Sequence, residues 1–313
     1  MSTPKSTRYP WPALELGSPS TSGTLTVWPI IGGDDNPNDY ELLSNAVERG
    51  TAKVTEVNKG GSVPVIQIEN NGKLPLLGIQ GEEYVGSKQN RTLNISVLAG
   101  QGITQIPVTC VEQGRWDPVM KKFGVGSHEY VRLRYKKSEM VARSRRSGRQ
   151  GLMRYAADQG EVWSEVHGTS AKFDVRSPTG AMHALYSSGK TGGKIDDIVK
   201  GIEIPGDARG VVAAVGGRIE AADIFESPEV FAVLWPRLLK SYAVGALQTR
   251  KGLAPSTEAA ESFVNTPRSL AWSATPSVGL GEDVRWEDEH HLATALIWDN
   301  RFLHASIFAR EVD

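Results

Sequence analysis

The chain has 313 residues and carries 35 lysines and arginines against 36 aspartates and glutamates, a formal net charge of −1 at pH 7. This overall balance gives no reason to expect nucleic acid or an anionic membrane as a partner. The length suits one large domain or two ordinary ones, and no apolar run approaches the roughly 18–20 residues of a membrane span.

The first residues, Met1–Ser22, are polar and rich in Pro, Ser and Thr, without the apolar core of a secretion signal. We therefore predict a flexible arm over residues 1–22, then a single domain over residues 23–313 with a sub-boundary near residues 117–135. Cys110 is the only cysteine, which excludes an intramolecular disulfide and favours a reducing compartment. We expect a cytoplasmic protein.

Alternating apolar residues and turn signals predict that the first 116 residues are mostly β. Leu25–Ile31 is a predicted strand, and apolar residues at helical spacing predict a helix over Asp39–Arg49 that stops at Gly50. Further short strands are predicted at Ala52–Val57, Val63–Glu69, Leu74–Ile79, Thr92–Leu98 and Thr104–Glu112.

The composition changes at about residue 117, and the middle of the chain has helical patterns. Tyr130–Arg154 is strongly basic, and Ala156–His167 is a predicted helix. Ser177-Pro178 predicts a cap that opens a segment through Tyr186. Ser187–Lys194 has the glycines and lysines of an anion-binding loop but not its spacing, so we predict a plain loop there.

The last third combines a hairpin, two helices and terminal strands. Gly216-Gly217 predicts a hairpin turn, and Ser227-Pro228 predicts the start of a long helix over Glu229–Thr249 that is kinked at Pro236. Thr257–Val264 is a predicted short helix. The predicted strands of the tail are Ser269–Ala274, Asp283–Glu287, Leu292–Trp298 and Phe302–Ala309, the last two joined by a turn at Asp299-Asn300-Arg301.

The coarse β–α–β–α–β order predicts an α+β fold. We expect a largely antiparallel β-sheet with a helical middle region and a long helix in the C-terminal half of the chain.

Charged residues share a strand phase with apolar residues in the segment Gly81–Trp116. Arg91 lies on the apolar phase of one predicted strand, and Cys110 and Glu112 lie on the apolar phase of the next. Matching the two phases leaves two registers, with Arg91 opposite either Glu112 or Cys110. Because buried charges need partners, the cluster is either a structural salt bridge or a functional pocket.

The individual candidates have alternative roles. Glu82 and Glu83 point to opposite faces of an extended segment, so at most one joins a given site, as a general base, a metal ligand or part of a surface turn. Cys110 has no histidine near it in sequence, which favours a core position over a nucleophile. His304 lies on the more polar phase of the last strand, so we expect it to face solvent.

Metal and nucleic-acid sites have little support in the sequence. None of the six histidines shows the spacing of a known metal motif, so we expect no metal site. The basic segment Tyr130–Arg154 fits a solvated helix face, phosphate contacts with nucleic acid, or a cover that holds an anionic ligand over a pocket. It has few interleaved aromatic residues, so we do not expect nucleic acid as the partner.

Two strings, GEEYVGSKQNR (Gly81–Arg91) and PVTCVEQGRW (Pro107–Trp116), resemble the family described as the ARG and rhodanese–phosphatase-superfamily-associated protein domain. ARG stands for ADP-ribosylglycohydrolase. A weaker likeness extends from about Leu25 to Ala309. The resemblance implies a role near NAD, ADP-ribose or nucleotide metabolism, and supplies no mechanism. The residues that it marks are Glu82, Gln89, Asn90, Arg91, Cys110, Glu112, Arg115 and Trp116.

Two hypotheses about function follow. In the first, the protein binds, and in one form of the hypothesis processes, an ADP-ribose-like or nucleotide ligand. Arg91 and Arg115 pair with phosphate, Trp116 stacks on a base, and Glu112 or Glu82 orients a ribose hydroxyl or acts as a general base. Gln89 and Asn90 complete the expected ligand site, and Cys110 and His304 are further candidates. In the second, the protein is a scaffold or interaction module, and Gly81–Trp116 is a structural ion-pair brace.

Overall fold

The structure is a computed structural model that describes residues 6–7, 9, 11–33, 36, 39–117, 120, 122–187, 189–247, 249–250, 252–269 and 271–310. The strands in chain order are β1 (Ser6–Thr7), β2 (Leu14–Leu16), β3 (Ser20–Ser22), β4 (Leu25–Gly32), β5 (Glu41–Leu42), β6 (Ala52–Glu56), β7 (Val65–Asn70), β8 (Leu76–Gly78), β9 (Glu82–Gly86), β10 (Arg91–Leu93), β11 (Val97–Ala99), β12 (Gly102–Cys110), β13 (Phe123–His128), β14 (Gly210–Val215), β15 (Arg218–Phe225), β16 (Trp272–Pro276), β17 (Glu282–Glu287), β18 (His291–Trp298) and β19 (Arg301–Ala309).

The α-helices in chain order are α1 (Leu43–Arg49), α2 (Val131–Arg146), α3 (Gln159–Lys172), α4 (Ala184–Ser187), α5 (Gly189–Lys200), α6 (Pro228–Ala246) and α7 (Thr257–Asn265). Short 3-10 helices lie at Gly151–Tyr155 and Thr266–Ser269. The strand pairing is mostly antiparallel, which confirms the predicted α+β class with its helical middle region and its long helix, α6. Among the described residues, no helix is both long enough and apolar enough to cross a membrane.

The described residues divide into two compact units. Unit 1 is drawn from residues 1–37, 194–277 and 281–313, and unit 2 from residues 38–193 and 278–280. The boundaries between the two units fall at residues 37/38, 193/194, 277/278 and 280/281. The single domain with a sub-boundary near residues 117–135 stays a prediction.

Unit 1 contains one sheet with the strand order β1-β16-β17-β18-β19-β15-β14-β4-β2, and β3 also pairs with β4. Gly216 and Gly217 both have positive φ angles, +60° and +92°, which give the tight turn that the sequence predicts between β14 and β15. Asp299 and Asn300 make a similar turn between β18 and β19, with φ angles of 51° and 58°. Both predicted hairpins are therefore confirmed.

The N-terminal segment carries strands that the sequence does not predict. The predicted flexible arm covers residues 1–22, of which residues 1–5, 8 and 10 lie outside the described residues. β2 and β3 both pair with β4, and Trp11 is buried and stacks on Trp272 at 5.8 Å between ring centres. Two short strands within a polar segment carry too few apolar residues to produce a strand signal.

His304 is buried, so the prediction that it faces solvent is wrong. It is 2% exposed on β19, and its Nε2 atom lies 3.5 Å from Oδ1 of Asp223 on β15. Helix α6 covers this face of the sheet, because the hydroxyl of Tyr242 on α6 donates to the same Asp223. The polar face of β19 is therefore buried under α6, and its polar side chains are paired by hydrogen bonds.

Unit 2 contains two sheets. The larger has the strand order β13-β9-β10-β12-β7-β6 and the smaller the order β11-β8-β5. The β10–β12 register places Arg91 opposite Cys110, which is one of the two registers allowed by the strand phases. A buried apolar cluster that includes Leu43, Ile68 and Leu93 lies between these elements.

One predicted strand in unit 2 is interrupted. Thr92–Leu98 is a single strand in the prediction, but the structure separates β10 from β11 at residues 94–96. The Asn94 side chain donates to the carbonyl of Tyr155 at 3.0 Å and accepts from the hydroxyl of Thr109 at 2.5 Å, and the Ser96 hydroxyl accepts from the Gln80 N–H at 3.0 Å. These bonds replace the ladder and end the strand.

The predicted loop at Ser187–Lys194 is wrong. Helix α5 starts at Gly189, while Ser188 lies outside the described residues. Thr191 and Ile195 are buried one helical turn apart, so the burial of this helix face outweighs the low helix propensity of the glycines.

A buried ion pair joins α2 to the larger sheet of unit 2. Lys137 on α2 is 0% exposed, and its ammonium donates to Glu129 at 2.7 Å, to the Thr92 hydroxyl at 2.9 Å and to the Leu93 carbonyl at 3.1 Å. All three ammonium protons are therefore used. Burial lowers the pKa of Lys137, and the carboxylate of Glu129 opposes this effect.

We predict that Lys137→Met lowers the free energy of unfolding by about 3–5 kcal/mol, because it leaves the carboxylate of Glu129 buried without its cation. Lys136→Met is the matched control. Lys136 pairs with Glu165 at a side-chain exposure of 30%, so its loss costs about 0–1 kcal/mol. Urea denaturation of both variants measures the difference, and equal costs would contradict the prediction.

Candidate functional site

Glu112 is the centre of a hydrogen-bonded cluster just beyond the end of β12. Its side chain is 6% exposed. Its carboxylate accepts from the Arg115 guanidinium, from the Asn90 backbone N–H at 3.0 Å and from the Thr179 hydroxyl at 2.7 Å. Burial alone raises the pKa of Glu112, but these donors outweigh burial, so its pKa lies below the ordinary value and the group is charged at neutral pH.

The guanidinium of Arg115 donates to acceptors within unit 2. It holds Glu112 in a bidentate pair, with Nε 3.0 Å from Oε1 and Nη2 2.6 Å from Oε2. Its remaining N–H groups donate to the carbonyls of Gly86, Ser87 and Asp117 and to the Asn90 side chain. The predicted pairing of Arg115 with phosphate would have to break this set of bonds.

Asn90 connects Glu112 to a second buried carboxylate, that of Glu83. The Asn90 amide nitrogen Nδ2 lies 3.3 Å from Oε1 of Glu83, while its backbone N–H donates to Glu112. The other oxygen of Glu83 accepts from both the backbone N–H and the hydroxyl of Ser127. Of the two adjacent glutamates, Glu83 is therefore the one that the strand phase brings into this cluster.

Glu82 points to the opposite face of β9. It is 0% exposed, and its carboxylate accepts from the Ile79 backbone N–H at 2.8 Å, across a turn in which Glu82 N–H also donates to the Ile79 carbonyl. The Glu82 carboxylate therefore stabilises the turn at Ile79–Glu82.

Arg91 is enclosed on β10, opposite Cys110. It is 0% exposed and donates to Oε1 of Gln89 at 3.1 Å, and its Nη2 atom lies 3.9 Å from Glu56. Within the described residues, its Nε and Nη2 atoms have no hydrogen-bond partner. Burial lowers the pKa of its guanidinium. Arg91 is thus only weakly paired, and the brace that the second hypothesis assigns to this segment is formed by Arg115.

Cys110 is a core thiol. It is 0% exposed, and its Sγ atom lies 2.9 Å from the Glu112 carbonyl oxygen. Burial raises the pKa of Cys110, and the nearby Arg91 cation only partly opposes this effect. A buried protonated thiol is a poor nucleophile, as the absence of a nearby histidine in the sequence suggests.

Trp116 is the exposed end of the Gly81–Trp116 segment. The residue is 43% exposed, and the Lys88 ammonium lies 5.0 Å from the ring centre. The Gln89 amide donates to the Gln113 carbonyl at 3.3 Å, so Gln89 supports the loop that leads to Trp116.

An open depression of about 510 Å³ lies beside this cluster, within unit 2. A short segment, Thr179–Met182, pairs with Val111–Gly114 through an antiparallel bridge between Ala181 and Glu112. Thr179 of this segment both lines the depression and donates to Glu112. The polar and charged side chains of its wall are Gln113, His167, Ser170, Arg176, Ser177 and Thr179.

Gly180 keeps this wall in place. Its φ angle is +63°, which disfavours residues with a Cβ atom, and a Cβ atom built there would lie 2.7 Å from Nε2 of His167. The histidine ring therefore rests directly against the glycine backbone.

The segment that starts at Thr179 continues to His183, which contacts Glu83. Its Nδ1 atom lies 3.2 Å from Oε2 of Glu83, and its side chain is 45% exposed while that of Glu83 is 0% exposed. The hydrogen bond that the carboxylate of Glu83 accepts from His183 raises the pKa of His183 above its ordinary value, and burial opposes the shift.

The basic segment Tyr130–Arg154 forms α2 and the short helix that follows it. Several of its cations pair with acids of α3. Arg132 and Lys136 contact Glu165, and Nη2 of Arg143 donates to both carboxylate oxygens of Glu161. This part of the basic charge is therefore neutralised within unit 2. Among the described residues, no cluster of three or more His, Cys, Asp or Glu side chains has the geometry of a metal site.

The sequence leaves Glu82 and Glu83 as alternatives and favours Glu82 as the site residue, and it does not indicate His183 or the residues that line the depression. Because side chains alternate along a strand, either Glu82 or Glu83 can face a given site. Only the pairing of β9 with β13 shows which of the two does. His183 lies about 100 positions from its partner, so no local spacing indicates the contact. The Ser177-Pro178 cap signal marks the neighbourhood of Thr179 without its contact to Glu112.

Residues 13–308 match the family described as the ARG and Rhodanese-Phosphatase-superfamily-associated Protein domain. The chain belongs to this family. The match covers nearly the whole chain, including both compact units and the cluster around Glu112, and it agrees with the resemblance that the Gly81–Trp116 segment suggests. No curated protein and no solved structure matches the chain.

For this family member, we predict that Arg115→Met lowers the free energy of unfolding by about 3–5 kcal/mol, because it leaves the buried carboxylate of Glu112 without its cation. Arg91→Met is the matched comparison. It removes one hydrogen bond to Gln89, a 3.9 Å contact with Glu56, and two buried donors that have no hydrogen-bond partner among the described residues, so the loss is smaller. Chemical denaturation measures both, and an Arg91 variant that is the less stable of the two would refute this ranking.

The pair of Glu83 and His183 gives a pH dependence with a definite sign. Because the pKa of His183 is raised in the folded protein, the pair stabilises the fold fully below the unfolded-state pKa of about 6.5, and the contribution is lost as pH rises through the folded-state value. The stability advantage of the parent over His183→Gln is therefore largest below the unfolded-state value of about 6.5 and shrinks as pH rises from there through the raised folded-state pKa.

Thermal denaturation at several pH values measures this advantage. His290→Gln, at an exposed turn of unit 1, is the control. We expect the stability difference between the parent and this variant to be the same at every pH. An advantage that grows with pH would show that the histidine is not protonated beside Glu83.

Proposed function

We propose that this protein binds an ADP-ribose-like or nucleotide ligand and acts in NAD- or ADP-ribose-linked metabolism. The observation that carries the proposal is the open depression of about 510 Å³ whose wall residue Thr179 is held from behind by the buried carboxylate of Glu112. Its volume lies in the range of small-molecule sites, roughly 300–1,000 Å³. The buried thiol of Cys110 is compatible with a reducing compartment, and we place the protein in the cytoplasm.

The chemistry of the wall suits such a ligand. Arg176 is exposed on the wall and offers a planar cation for bidentate contact with a phosphate group. The hydroxyls of Ser170, Ser177 and Thr179 are suitable partners for ribose hydroxyl groups. The exposed face of Trp116, two residues beyond the Gln113-Gly114 part of the wall, offers an aromatic surface for a base.

This proposal changes the roles of the residues predicted from the sequence. Phosphate contact moves from Arg91 and Arg115 to Arg176, because Arg91 is enclosed and Arg115 is fully engaged. Glu112, which holds four donors, supports the wall and does not act as a general base. Asn90 and Gln89 connect the strands behind it.

The second candidate function is a non-catalytic scaffold or interaction module. Its specific support is the way in which Arg115 uses its guanidinium on protein acceptors, as a structural brace does. In this reading the same cluster stabilises unit 2, and the depression has no small ligand.

Isothermal titration calorimetry with ADP-ribose, NAD and AMP separates the two functions. We expect at least one of them to bind, and Arg176→Ala to weaken its binding by roughly 10- to 100-fold, the loss of one charge-assisted contact. Arg149→Ala removes another exposed arginine of unit 2, outside the depression, and is the matched control.

Two results would contradict the proposed ligand function. One is the absence of binding for all three compounds to a protein whose melting curve is intact, which favours the scaffold. The other is an Arg176→Ala variant that binds as tightly as Arg149→Ala.

A further inference from the structure

A buried carboxylate orients a half-exposed histidine three positions after Gly180, a residue of the wall of the depression. Glu83 is 0% exposed, and its Oε2 atom lies 3.2 Å from Nδ1 of His183. The histidine side chain is 45% exposed, so solvent reaches the ring while its partner stays buried.

Glu83 is held independently of the histidine. Its oxygens accept from the Ser127 N–H at 3.0 Å, from the Ser127 hydroxyl and from the Asn90 amide at 3.3 Å. A Cβ atom on Gly126 would lie 2.8 Å from Oε2 of Glu83, so the glycine at this position lets β13 approach the carboxylate. The position of the Glu83 carboxylate therefore does not depend on its contact with His183.

This arrangement sets the tautomer of His183. With Nδ1–H donating to Glu83, the neutral ring carries its lone pair on Nε2. Among the described residues, the one hydrogen-bond contact of the His183 ring is that with Glu83. A ring that is oriented by a carboxylate, with a basic nitrogen left for another partner, is the usual arrangement of a general base.

The pair is also connected to the wall of the depression. Thr179 donates to Glu112, the Asn90 N–H donates to the same carboxylate, and the Asn90 amide donates to Glu83. The chain itself leads from the wall residues Thr179 and Gly180 to His183 within four positions. The same hydrogen bonds, through Glu112 and Asn90, thus position both His183's partner Glu83 and the wall residue Thr179.

We infer that His183, oriented by Glu83, is the general base with which this protein hydrolyses the phosphoanhydride bond of a nucleotide-type ligand, an inference that rests on the proposed function. A water oxygen forms a bond to phosphorus while its proton passes to Nε2 of His183. The bond between phosphorus and the bridging oxygen breaks, and the leaving phosphate takes the electron pair. The proton on His183 then returns to solvent or to the leaving oxygen. Glu83 is a positioning residue.

The experiment follows AMP release from ADP-ribose by chromatography in buffer that contains Mg²⁺, beside calorimetric binding of the same compound. We expect the parent to form AMP and ribose 5-phosphate. His183→Gln slows this reaction by about 100-fold or more with ADP-ribose binding retained, which is the usual contribution of a general base. His290→Gln, the matched control in unit 1, keeps the parent rate.

Two further readouts separate a base from a structural residue. Glu83→Gln removes the charge that raises the pKa of His183, so the acidic limb of the pH–rate profile moves to lower pH. His183→Ala regains part of its activity when imidazole is added, because the side chain it replaces is half-exposed. These readouts keep the test decisive even where His183→Gln folds poorly.

The inference is overturned if the parent binds ADP-ribose but releases no AMP, if it cleaves a different bond, or if His183→Gln keeps the parent rate. Binding without AMP release leaves the proposed ligand function intact. Absence of binding removes the proposed function itself, so the two failures are distinguishable.

Discussion

Glu112 carries a negative charge at a buried position, and four groups donate to it. Two of the donors are Nε and Nη2 of Arg115, three residues after Glu112, and the other two are the Asn90 backbone N–H and the Thr179 hydroxyl, from parts of unit 2 that are distant in sequence. Because an unpaired buried carboxylate is costly, these segments have to meet at one place. Through Asn90 the constraint extends to Glu83 and His183, and through Thr179 it extends to the wall of the depression. The cluster therefore stabilises unit 2 and supports the proposed ligand site at the same time.

Much of the fold follows from local patterns in the sequence. The hairpin at Gly216-Gly217, the cap at Ser227 and the strands of the tail depend on turn chemistry and periodicity, which act over a few residues. The failures have a common physical cause. The break at Asn94 and the burial of His304 each depend on a contact with a distant element, and the helix at Gly189–Lys200 depends on the burial of Thr191 and Ile195, which the glycines and lysines of the local pattern do not indicate.

The candidate site was predictable only in part. Strand phase brought Arg91, Cys110 and Glu112 to one end of a hairpin and allowed the register that the structure has. It did not show that Arg115, three residues after Glu112, would take the ion pair, or that Arg91 would be enclosed with two donors unpartnered among the described residues. Contacts such as that between Glu83 and His183 join residues about 100 positions apart, so only the folded chain brings them together.

The central claim is that Glu112 joins the Gly81–Trp116 segment to the wall of the depression. A double-mutant cycle between Arg115→Met and Thr179→Val tests it most directly, because both residues donate to the same carboxylate and Val has nearly the shape of Thr. The account predicts that the two losses of unfolding free energy are not additive and that the coupling energy is about 0.5–3 kcal/mol. Losses that add within about 0.3–0.5 kcal/mol would show that the two contacts act independently and would contradict the account.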